Sequence, residues 1–203
     1  MEEFLTVYNE LLEPVGCEPR SVCHQKGLLH MVVHGWILSR RPDGNYLWFQ
    51  RRAFTKKDFP GLYDLAVGGH IDPGESPDTA ILREMGEELG VFPDGRELTC
   101  LGKIREEFRM PGFFDREIAQ VYLWEQPSPD FRPGEEVESM AAVRAEDYVR
   151  WELGQIEDVP AKDSSGGAFT IRNSQWVTHS PEFQELIYPF LKQNGLIPAD
   201  FQP

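Results

Sequence analysis

The sequence contains few cysteines and no long apolar segment. Cys17, Cys23 and Cys100 are odd in number and widely spaced, so no disulfide framework is expected. A zinc site of Cys17, Cys23 and nearby histidines is an alternative, although the spacing matches none of the common zinc motifs. No apolar run approaches the roughly 20 residues that span a bilayer, and the acidic start MEEFLTV lacks the pattern of a signal peptide. We therefore expect a cytoplasmic protein.

Basic residues are also scarce. The chain of 203 residues carries 20 lysines and arginines against 34 acidic residues, which gives a net charge of −14. A chain this acidic lacks the positive surface that binds nucleic acid or an anionic membrane, so we expect neither as a partner. A phosphate-bearing ligand would need bridging metal ions or a local cationic pocket. The length suits one domain with a substantial core.

The pattern of apolar residues predicts a mixed β-sheet flanked by helices. Apolar, aromatic and β-branched runs predict strands at residues 4–9, 30–39, 46–52, 62–70, 98–109, 117–125 and 140–143. Helices are predicted at residues 77–89, at about 145–153, and from a capping Ser180 onward, where Pro189 would kink or break the helix.

The chain divides into a central domain with two flanking segments. We expect residues 1–27 to form an N-terminal strand and extension that pack on the central domain, residues 28–160. Residues 161–203 would form a flexible joint at 164–167 and a C-terminal helix that belong to the same unit.

The stretch GGHIDPGESPDTAILREMGEELGV, residues 68–91, concentrates six carboxylates around a single arginine. Within it, Ser76 followed by Pro77 predicts the start of a helix, because a hydroxyl cap and a first-turn proline are typical of that position. Gly90 predicts the end of the helix, since glycine readily adopts the left-handed conformation found there.

Three glutamates of this helix, Glu84, Glu87 and Glu88, fall on one face at about 100° per residue, beside an apolar stripe that would pack on the sheet. Glu75 arrives from the preceding loop as a fourth carboxylate. Like charges at this spacing destabilise one another, and hard divalent cations such as Mg²⁺ prefer oxygen ligands. The alternative is a solvated helix face, which is the usual explanation for an acidic run judged by charge alone.

The spacing of these residues favours the cation site. The stretch follows the pattern G-x5-E-x7-R-E-U-x-E-E-x-G-U at every defined position, where U is a bulky aliphatic residue. The matching residues are Gly69, Glu75, Arg83, Glu84, Met85, Glu87, Glu88, Gly90 and Val91. This pattern resembles the signature of the Nudix family. The resemblance implies an α/β/α sandwich that hydrolyses a diphosphate linkage, mostly in nucleoside diphosphate derivatives, with Mg²⁺ or Mn²⁺ as the cofactor.

The resemblance also implies a role for each matching residue. Carried over by position, the metal ligands are Glu84, Glu87, Glu88, Glu75 and the backbone carbonyl of Gly69. Arg83 would orient these glutamates or neutralise them. The base that accepts a proton from the attacking water would be Glu88 or a glutamate of the downstream loop, which offers Glu135, Glu136 and Glu138. We rank Glu88 first and Glu136 second, with little separation.

Further motifs resemble a closer branch, the type I isopentenyl-diphosphate isomerases and their hydrolase-like relatives. They are the segment RRAFTKKDFPGLYD, the GGH that follows it and the DRE triplet, and the likeness runs from about Thr6 to Glu138. The implied ligands of a second divalent metal are His24, His30, His70, Asp115 and Glu117. Arg52 and Lys56 match the positions that grip the diphosphate, a clamp that an acidic chain needs. The alternative for the cluster is a set of unrelated surface histidines beside a charged strand end.

Two departures separate this chain from the isomerases. Their catalytic cysteine precedes the Gly-His pair, where this chain has Gly68, and their tryptophan near the carbocation aligns loosely with Gly167. An isomerase that shuttles protons loses its chemistry without the acid thiol, whereas the complete glutamate set is what a hydrolase requires. We therefore predict a diphosphate hydrolase with a small-molecule substrate. The isomerase and a catalytically silent binding module stay as alternatives, and a homodimer is left open because dimers are common among Nudix proteins.

Overall fold

The computed structural model describes residues 2–199 and 201. Its strands are β1 (Phe4–Tyr8), β2 (Pro14–Pro19), β3 (His30–Arg41), β4 (Gly44–Arg52), β5 (Tyr63–Leu65), β6 (Val67–His70), β7 (Leu98–Met110), β8 (Phe113–Glu125), β9 (Val137–Arg144), β10 (Val159–Asp163) and β11 (Ala168–Ile171). Its helices are α1 (Arg20–Lys26), α2 (Pro77–Leu89), α3 (Ala145–Glu152), α4 (Ser180–Glu182) and α5 (Tyr188–Gln193). None of the helices in this described part is long and apolar enough to cross a bilayer. The predicted terminal segments also include residues 1, 200, 202 and 203, which lie outside the described residues.

Nine strands form one mixed sheet in the order β11-β10-β9-β4-β3-β8-β7, with β5 paired to β4 and β6 paired to β3. Strands β3 and β8 are parallel. The single strand predicted at residues 62–70 is two strands, because the chain bends at Ala66 and changes its pairing partner. This bend brings the glycines of β6 alongside β3 and next to α2.

Helices cover both faces of the sheet, which confirms the predicted α/β/α sandwich. On one face, α2 buries Ile81 and Met85 against the sheet. On the other face, Trp36 of the sheet packs in a second core with Tyr148 of α3 and Phe183 of the C-terminal segment. Each large side chain that is fully buried contributes about 1.5–3 kcal/mol relative to an exposed one. These two cores fix the positions of the strands that carry the polar residues described below.

Helix α2 has the bounds that the sequence predicts. The hydroxyl of Ser76 accepts a hydrogen bond from the backbone N–H of Thr79 at 3.2 Å, so the predicted cap is confirmed. Gly90 ends the helix with a φ of 64°, a conformation that glycine adopts without the steric cost of a Cβ.

The N-terminal segment forms more structure than the sequence predicts. The predicted first strand is confirmed as β1, but it pairs with an unpredicted β2 in a separate two-stranded sheet. The unpredicted helix α1 follows directly, and it packs through Cys23 against Leu5 and Val7. Because α1 carries His24, this small unit delivers one of the predicted metal ligands.

The C-terminal segment forms an unpredicted β-hairpin and departs from the prediction at Ser180. Residues 164–167 form the turn of the β10–β11 hairpin, in which Asp163 accepts hydrogen bonds from the N–H groups of Ser165 and Gly167, each at 2.8 Å. The predicted capping role of Ser180 is wrong, because its hydroxyl donates to Glu152 instead. Before Pro189 the helix widens into a π-helical turn, Phe183–Ile187, since proline has no N–H for the regular helical hydrogen bond.

Candidate active site

One cavity of about 610 Å³ brings most of the predicted residues together. The predicted residues that line it are His24, Arg52, Lys56, Gly69, His70, Arg83, Glu84, Glu87, Glu88, Asp115, Glu117, Glu135 and Glu136. Glu75 and His30 lie behind this lining, in contact with Arg83 and Asp115, respectively. Glu138 and the turn at residues 164–167 do not contribute to the lining.

Arg83 is the centre of the acidic face of α2. Its Nε and one terminal nitrogen donate to the two carboxylate oxygens of Glu75 at 3.0 and 2.8 Å. Its other terminal nitrogen donates to Glu84 at 2.7 Å and to Glu87 at 3.3 Å. The carbonyl of His70 accepts a further bond at 2.9 Å. Both oxygens of Glu75 are therefore engaged by Arg83, and the shared guanidinium fixes the relative positions of Glu84 and Glu87.

Glu88 lies at the floor of the cavity and is only 4% exposed. One of its oxygens accepts hydrogen bonds from the N–H of Gly68 and from the side chain of Gln50, each at 3.1 Å. Burial, together with the nearby charge of Glu84, raises the pKa of Glu88 to about 8. Burial also raises the pKa of Glu84 to about 7, although Arg83 opposes this rise. A bound divalent cation would favour the ionised carboxylates, so metal binding here would release protons.

The oxygen donors of α2 suit a hard cation, but they are not packed into a tight cage. Among the described residues, the three glutamates do not form a group whose ligand atoms all lie within 4.8 Å of one another. Mg²⁺ commonly takes only one or two carboxylates and completes its shell with water and phosphate oxygens. The open arrangement on α2 fits that mode of binding, in which the substrate supplies part of the coordination.

Because Gly69 has no side chain, the carboxylate of Glu84 can occupy the space next to its Cα. A Cβ at position 69 would overlap the carboxylate of Glu84, whereas a Cβ at Gly68 would meet its nearest neighbour, a methyl group of Leu65, at an ordinary 3.4 Å. We expect Gly69→Ala to displace Glu84 and to weaken Mn²⁺ binding about 10- to 100-fold, as is typical when a metal ligand loses its support. Calorimetric titration with Mn²⁺ measures this effect. Gly68→Ala is the matched control, and equal affinities of the two variants would contradict the expected role of Gly69.

The second predicted cluster is compact and mostly buried, with His70 and Asp115 partly exposed. The imidazole rings of His24, His30 and His70 lie 5.2–5.4 Å apart between centroids. One oxygen of Asp115 lies 3.2 Å from Nε2 of His30 and 3.6 Å from Nε2 of His24. The ligand atoms of His24, His30 and His70 all lie within 4.8 Å of one another, and those of His30, Asp115 and Glu117 form a second such group. The predicted residues therefore meet in space, as a metal site requires.

Several atoms of this cluster have no hydrogen-bond partner. Nε2 of His24, Nε2 of His30 and Oδ1 of Asp115 are buried without one. Nδ1 of His30 lies 3.0 Å from the carbonyl of Leu28, so it carries a proton there and leaves Nε2 free to bind a metal. Burial lowers the pKa of His24 to about 4, which keeps that ring neutral near pH 7. Burial opposes the charged form of His30 too, but the neighbouring Asp115 carboxylate raises the pKa of that ring, so a metal bound at its Nε2 would displace a proton. Imidazoles with a carboxylate suit divalent transition metals.

Arg52 and Lys56 line the same cavity as the two clusters. The guanidinium of Arg52 donates twice to the carbonyl of Asp58, at 3.2 Å, and once to the carboxylate of Asp64, at 3.0 Å. Lys56 forms an ion pair with Glu136. Glu136, the second-ranked base, is therefore exposed and paired with a cation, whereas Glu88 is buried.

The structure adds charged residues that the sequence did not indicate. They are Glu3, which pairs with His70, and the buried residues His34, Asp64, Glu106, His179 and Glu182. His34 could have been found, because it lies four residues after His30 on a strand and so faces the same side. Glu106 lies directly opposite Glu117 in the register of β7 and β8, but this pairing follows only from the three-dimensional structure. No local pattern marks His179 or Glu182.

Comparisons with known proteins identify the domain and relatives of this chain. Residues 29–163 match the family model of the NUDIX domain. An uncharacterized Nudix hydrolase of Clostridium acetobutylicum is 36% identical over 123 residues, which cover 61% of this chain and 59% of the relative. An isopentenyl-diphosphate Delta-isomerase of Rhodobacter capsulatus is 30% identical over 130 residues, which cover 62% of this chain and 68% of the relative.

A solved structure shows the same fold. A protein from Deinococcus radiodurans superimposes with a TM-score of 0.56 at 26% identity, and the match covers 75% of this chain and 90% of that one. The chain thus spans most of this solved structure, but only 59% of the length of the Clostridium relative. Because the chain is similar to both a hydrolase and an isomerase, these similarities do not distinguish the two reactions. The residues of the cavity provide the distinction.

Proposed function

The chain belongs to the Nudix family, and on this premise we propose that it hydrolyses a diphosphate linkage in a nucleoside diphosphate derivative or a related phosphorylated metabolite. The proposed cofactor is Mg²⁺ or Mn²⁺. The observation that carries the proposal is that the glutamates of α2 and the cations Arg52 and Lys56 line one cavity. A diphosphate in this cavity would therefore lie within reach of the cations and of a metal ion held by the carboxylates.

The proposed metal ligands at α2 are Glu84, Glu87 and Glu88, which supply only oxygen donors. A divalent ion, when bound, neutralises the diphosphate and lowers the pKa of a coordinated water. Arg83 holds Glu84 and Glu87 in place and is itself held by both oxygens of Glu75. We assign Glu75 and Arg83 to this orientation and Glu88 to proton acceptance. Glu136 is the alternative base, but its carboxylate is already paired with Lys56.

A second metal site is proposed at the histidine cluster. The Nε2 atoms of His24 and His30 converge on Oδ1 of Asp115 without a regular hydrogen bond, and a divalent cation among them would satisfy all three buried atoms. The nitrogen and oxygen donors suit a divalent ion such as Mn²⁺ or Zn²⁺. Both clusters line the same cavity as Arg52 and Lys56, so a metal held here would add to the positive charge around the substrate.

The isomerase alternative is disfavoured by the absence of an acid thiol. None of the three cysteines lines the described cavity, and the structure leaves ordinary space for a side chain at Gly68. Glycine is thus not required there by steric crowding. Isopentenyl diphosphate incubated with the protein in D₂O is expected to gain no deuterium, as measured by mass spectrometry. Time-dependent incorporation at a rate proportional to protein concentration would instead support the isomerase.

A screen of diphosphate compounds with Mg²⁺ or Mn²⁺ tests the proposed hydrolysis. At least one compound is expected to give two products whose masses sum to the substrate plus one water, and a chelator is expected to stop the reaction. A catalytically silent binding module would instead be stabilised by a ligand without releasing products. That result across the screen would contradict the proposal.

A further inference from the structure

The C-terminal segment, which follows the residues matched by the NUDIX model, contributes Val177 and His179 to the lining of the cavity. The backbone N–H of Val177 donates to the carbonyl of Tyr63 at 2.8 Å, and Trp176 forms a parallel β-bridge to Tyr63. Tyr63 is the first residue of β5, and Asp64 follows it. This pairing carries the chain along β5 and places His179 beside the side chain of Asp64.

His179 joins two buried carboxylates. Its Nε2 lies 2.9 Å from Oδ1 of Asp64, and its Nδ1 lies 2.6 Å from Oε2 of Glu106. All three side chains are buried. Because ionised carboxylates only accept hydrogen bonds, both ring nitrogens donate and the ring is an imidazolium. Burial opposes this charge, but the two carboxylates raise the pKa of His179 well above its usual value.

Asp64 connects His179 to Arg52 through its two carboxylate oxygens. Its Oδ1 accepts from His179 and from the backbone N–H of Leu65, at 2.9 and 2.8 Å, which leaves Oδ2 to accept from Arg52 at 3.0 Å. Burial raises the pKa of Asp64, but the hydrogen bond and the charge of His179, together with Arg52, lower it to about 2. Asp64 is therefore a fixed anion whose orientation is set on one side by His179.

Arg52 keeps donors for a ligand while it is held in this way. Three of its five N–H groups are used by Asp58 and Asp64, so two are left for the cavity that it lines. A guanidinium binds phosphate best when its planar fork is held in place.

We propose that His179 is a positioning residue for the diphosphate clamp, which acts through Asp64 to fix the guanidinium of Arg52. The C-terminal segment, outside the matched domain, would thereby control how tightly the cavity binds a diphosphate. The proposal rests on the proposed function in one respect, since it assigns Arg52 to phosphate binding.

Two substitutions at position 179 separate this role from a general structural one. His179→Gln retains an amide donor near the position of Nε2, which faces Asp64. His179→Asn is shorter and retains a donor near the position of Nδ1, which faces Glu106. Both variants remove the charge, so they differ mainly in which contact survives. Ser180→Ala is the control, because it removes a hydrogen bond of the same segment, to Glu152, without touching Asp64.

The measurement is the Kd of inorganic pyrophosphate with Mg²⁺, obtained by calorimetry on the full chain, together with thermal unfolding. We expect His179→Asn to weaken binding about tenfold, and His179→Gln and Ser180→Ala to stay within about threefold of the unsubstituted protein, since the hydrogen bond to Asp64 is lost only in the first. In the Arg52→Ala background, His179→Asn is expected to add little further weakening. If His179→Asn does not fold, Asp64→Asn is the second variant, because it interrupts the same series of contacts between His179 and Arg52. It should weaken pyrophosphate binding by about the factor expected for His179→Asn, roughly tenfold.

Three results would overturn the proposal. They are equal weakening by His179→Gln and His179→Asn, additive effects of Arg52→Ala and His179→Asn, and pyrophosphate binding that is insensitive to Arg52→Ala. These readouts use binding rather than turnover. A failure of the proposed hydrolysis, seen as the absence of products from any diphosphate, would therefore be distinguishable from a failure of the His179 assignment.

Discussion

Replacing Glu87 or Glu88 by glutamine is expected to reduce metal-dependent hydrolysis of a diphosphate substrate by about 10²–10⁴-fold. The amide keeps the shape of the side chain but removes the negative charge that attracts the metal ion. Metal ions commonly stabilise the transition state by several kcal/mol, and about 1.4 kcal/mol corresponds to a factor of ten in rate. The turnover number and KM, measured over a range of Mg²⁺ concentrations, would show the loss and whether excess metal restores activity.

The fold is expected to survive both substitutions. Glu87 has a side chain that is 62% exposed, and Glu88 is buried with a raised pKa, so neither depends on a fixed negative charge for packing. Thermal unfolding should therefore change little or rise slightly. Glu157→Gln provides a matched control, because Glu157 is exposed and does not line the cavity. Full activity of both the Glu87 and Glu88 variants would contradict the assignment of α2 as the metal-binding element.

The second large effect is expected at the histidine cluster. His30→Ala and Asp115→Asn should each weaken binding of Mn²⁺ or Zn²⁺ at this site about 100-fold or more, because each removes a buried ligand. A ligand at 100 times its Kd stabilises a protein by about 2.7 kcal/mol, so the unfolding temperature of the unsubstituted protein should rise with added metal. This increase should be lost in the two variants, as measured by thermal unfolding with and without the metal.

Metal content gives an independent check on this cluster. Elemental analysis after dialysis should find one equivalent of metal fewer in His30→Ala and Asp115→Asn than in the Asp130→Asn control, whose side chain is exposed. The alternative, in which these residues pair with one another without a metal, predicts equal metal content in all three variants. It also predicts that Asp115→Asn lowers the unfolding temperature whether or not metal is present.

The helix that carries the glutamates could be predicted in full because its determinants are local. The cap, the first-turn proline, the terminal glycine and the apolar stripe all lie within one stretch of sequence, and each agrees with the others. The structure confirms the bounds of α2 and places Glu84, Glu87 and Glu88 at one cavity. The orientation by Arg83 also agrees with the sequence-based expectation, since the residue lies between its glutamate partners.

The strands were predicted less evenly. Long strands such as β3 and β8 have clear apolar patterns, but the bend at Ala66 that divides β5 from β6 depends on which neighbours are available for pairing. Strand β2 is mostly exposed and carries little pattern, and α1 is only seven residues long. Such short elements are stabilised by packing against the rest of the chain rather than by local sequence preferences.

The contacts among the charged residues beneath the cavity could not be predicted, because the two partners of each contact come from distant parts of the chain. Asp64 and His179 are 115 residues apart, and His34 and Glu182 are 148 residues apart. A single buried carboxylate or histidine is not informative in a sequence, since its partner is defined only by the fold. The sequence therefore indicated the candidate ligands of metal and phosphate and the arginine between the glutamates, whereas Asp64 and His179 emerged only from the structure.

Divalent ions held by the carboxylates of α2 beside a diphosphate are the core of the proposed hydrolysis. Electron paramagnetic resonance can count the Mn²⁺ ions bound in the presence of imidodiphosphate, a diphosphate analogue with a bridging nitrogen. We expect the double variant Glu84→Gln, Glu88→Gln to lose at least one bound Mn²⁺ ion and to retain the ion of the histidine cluster. An unchanged number of bound ions in that variant would contradict this expectation.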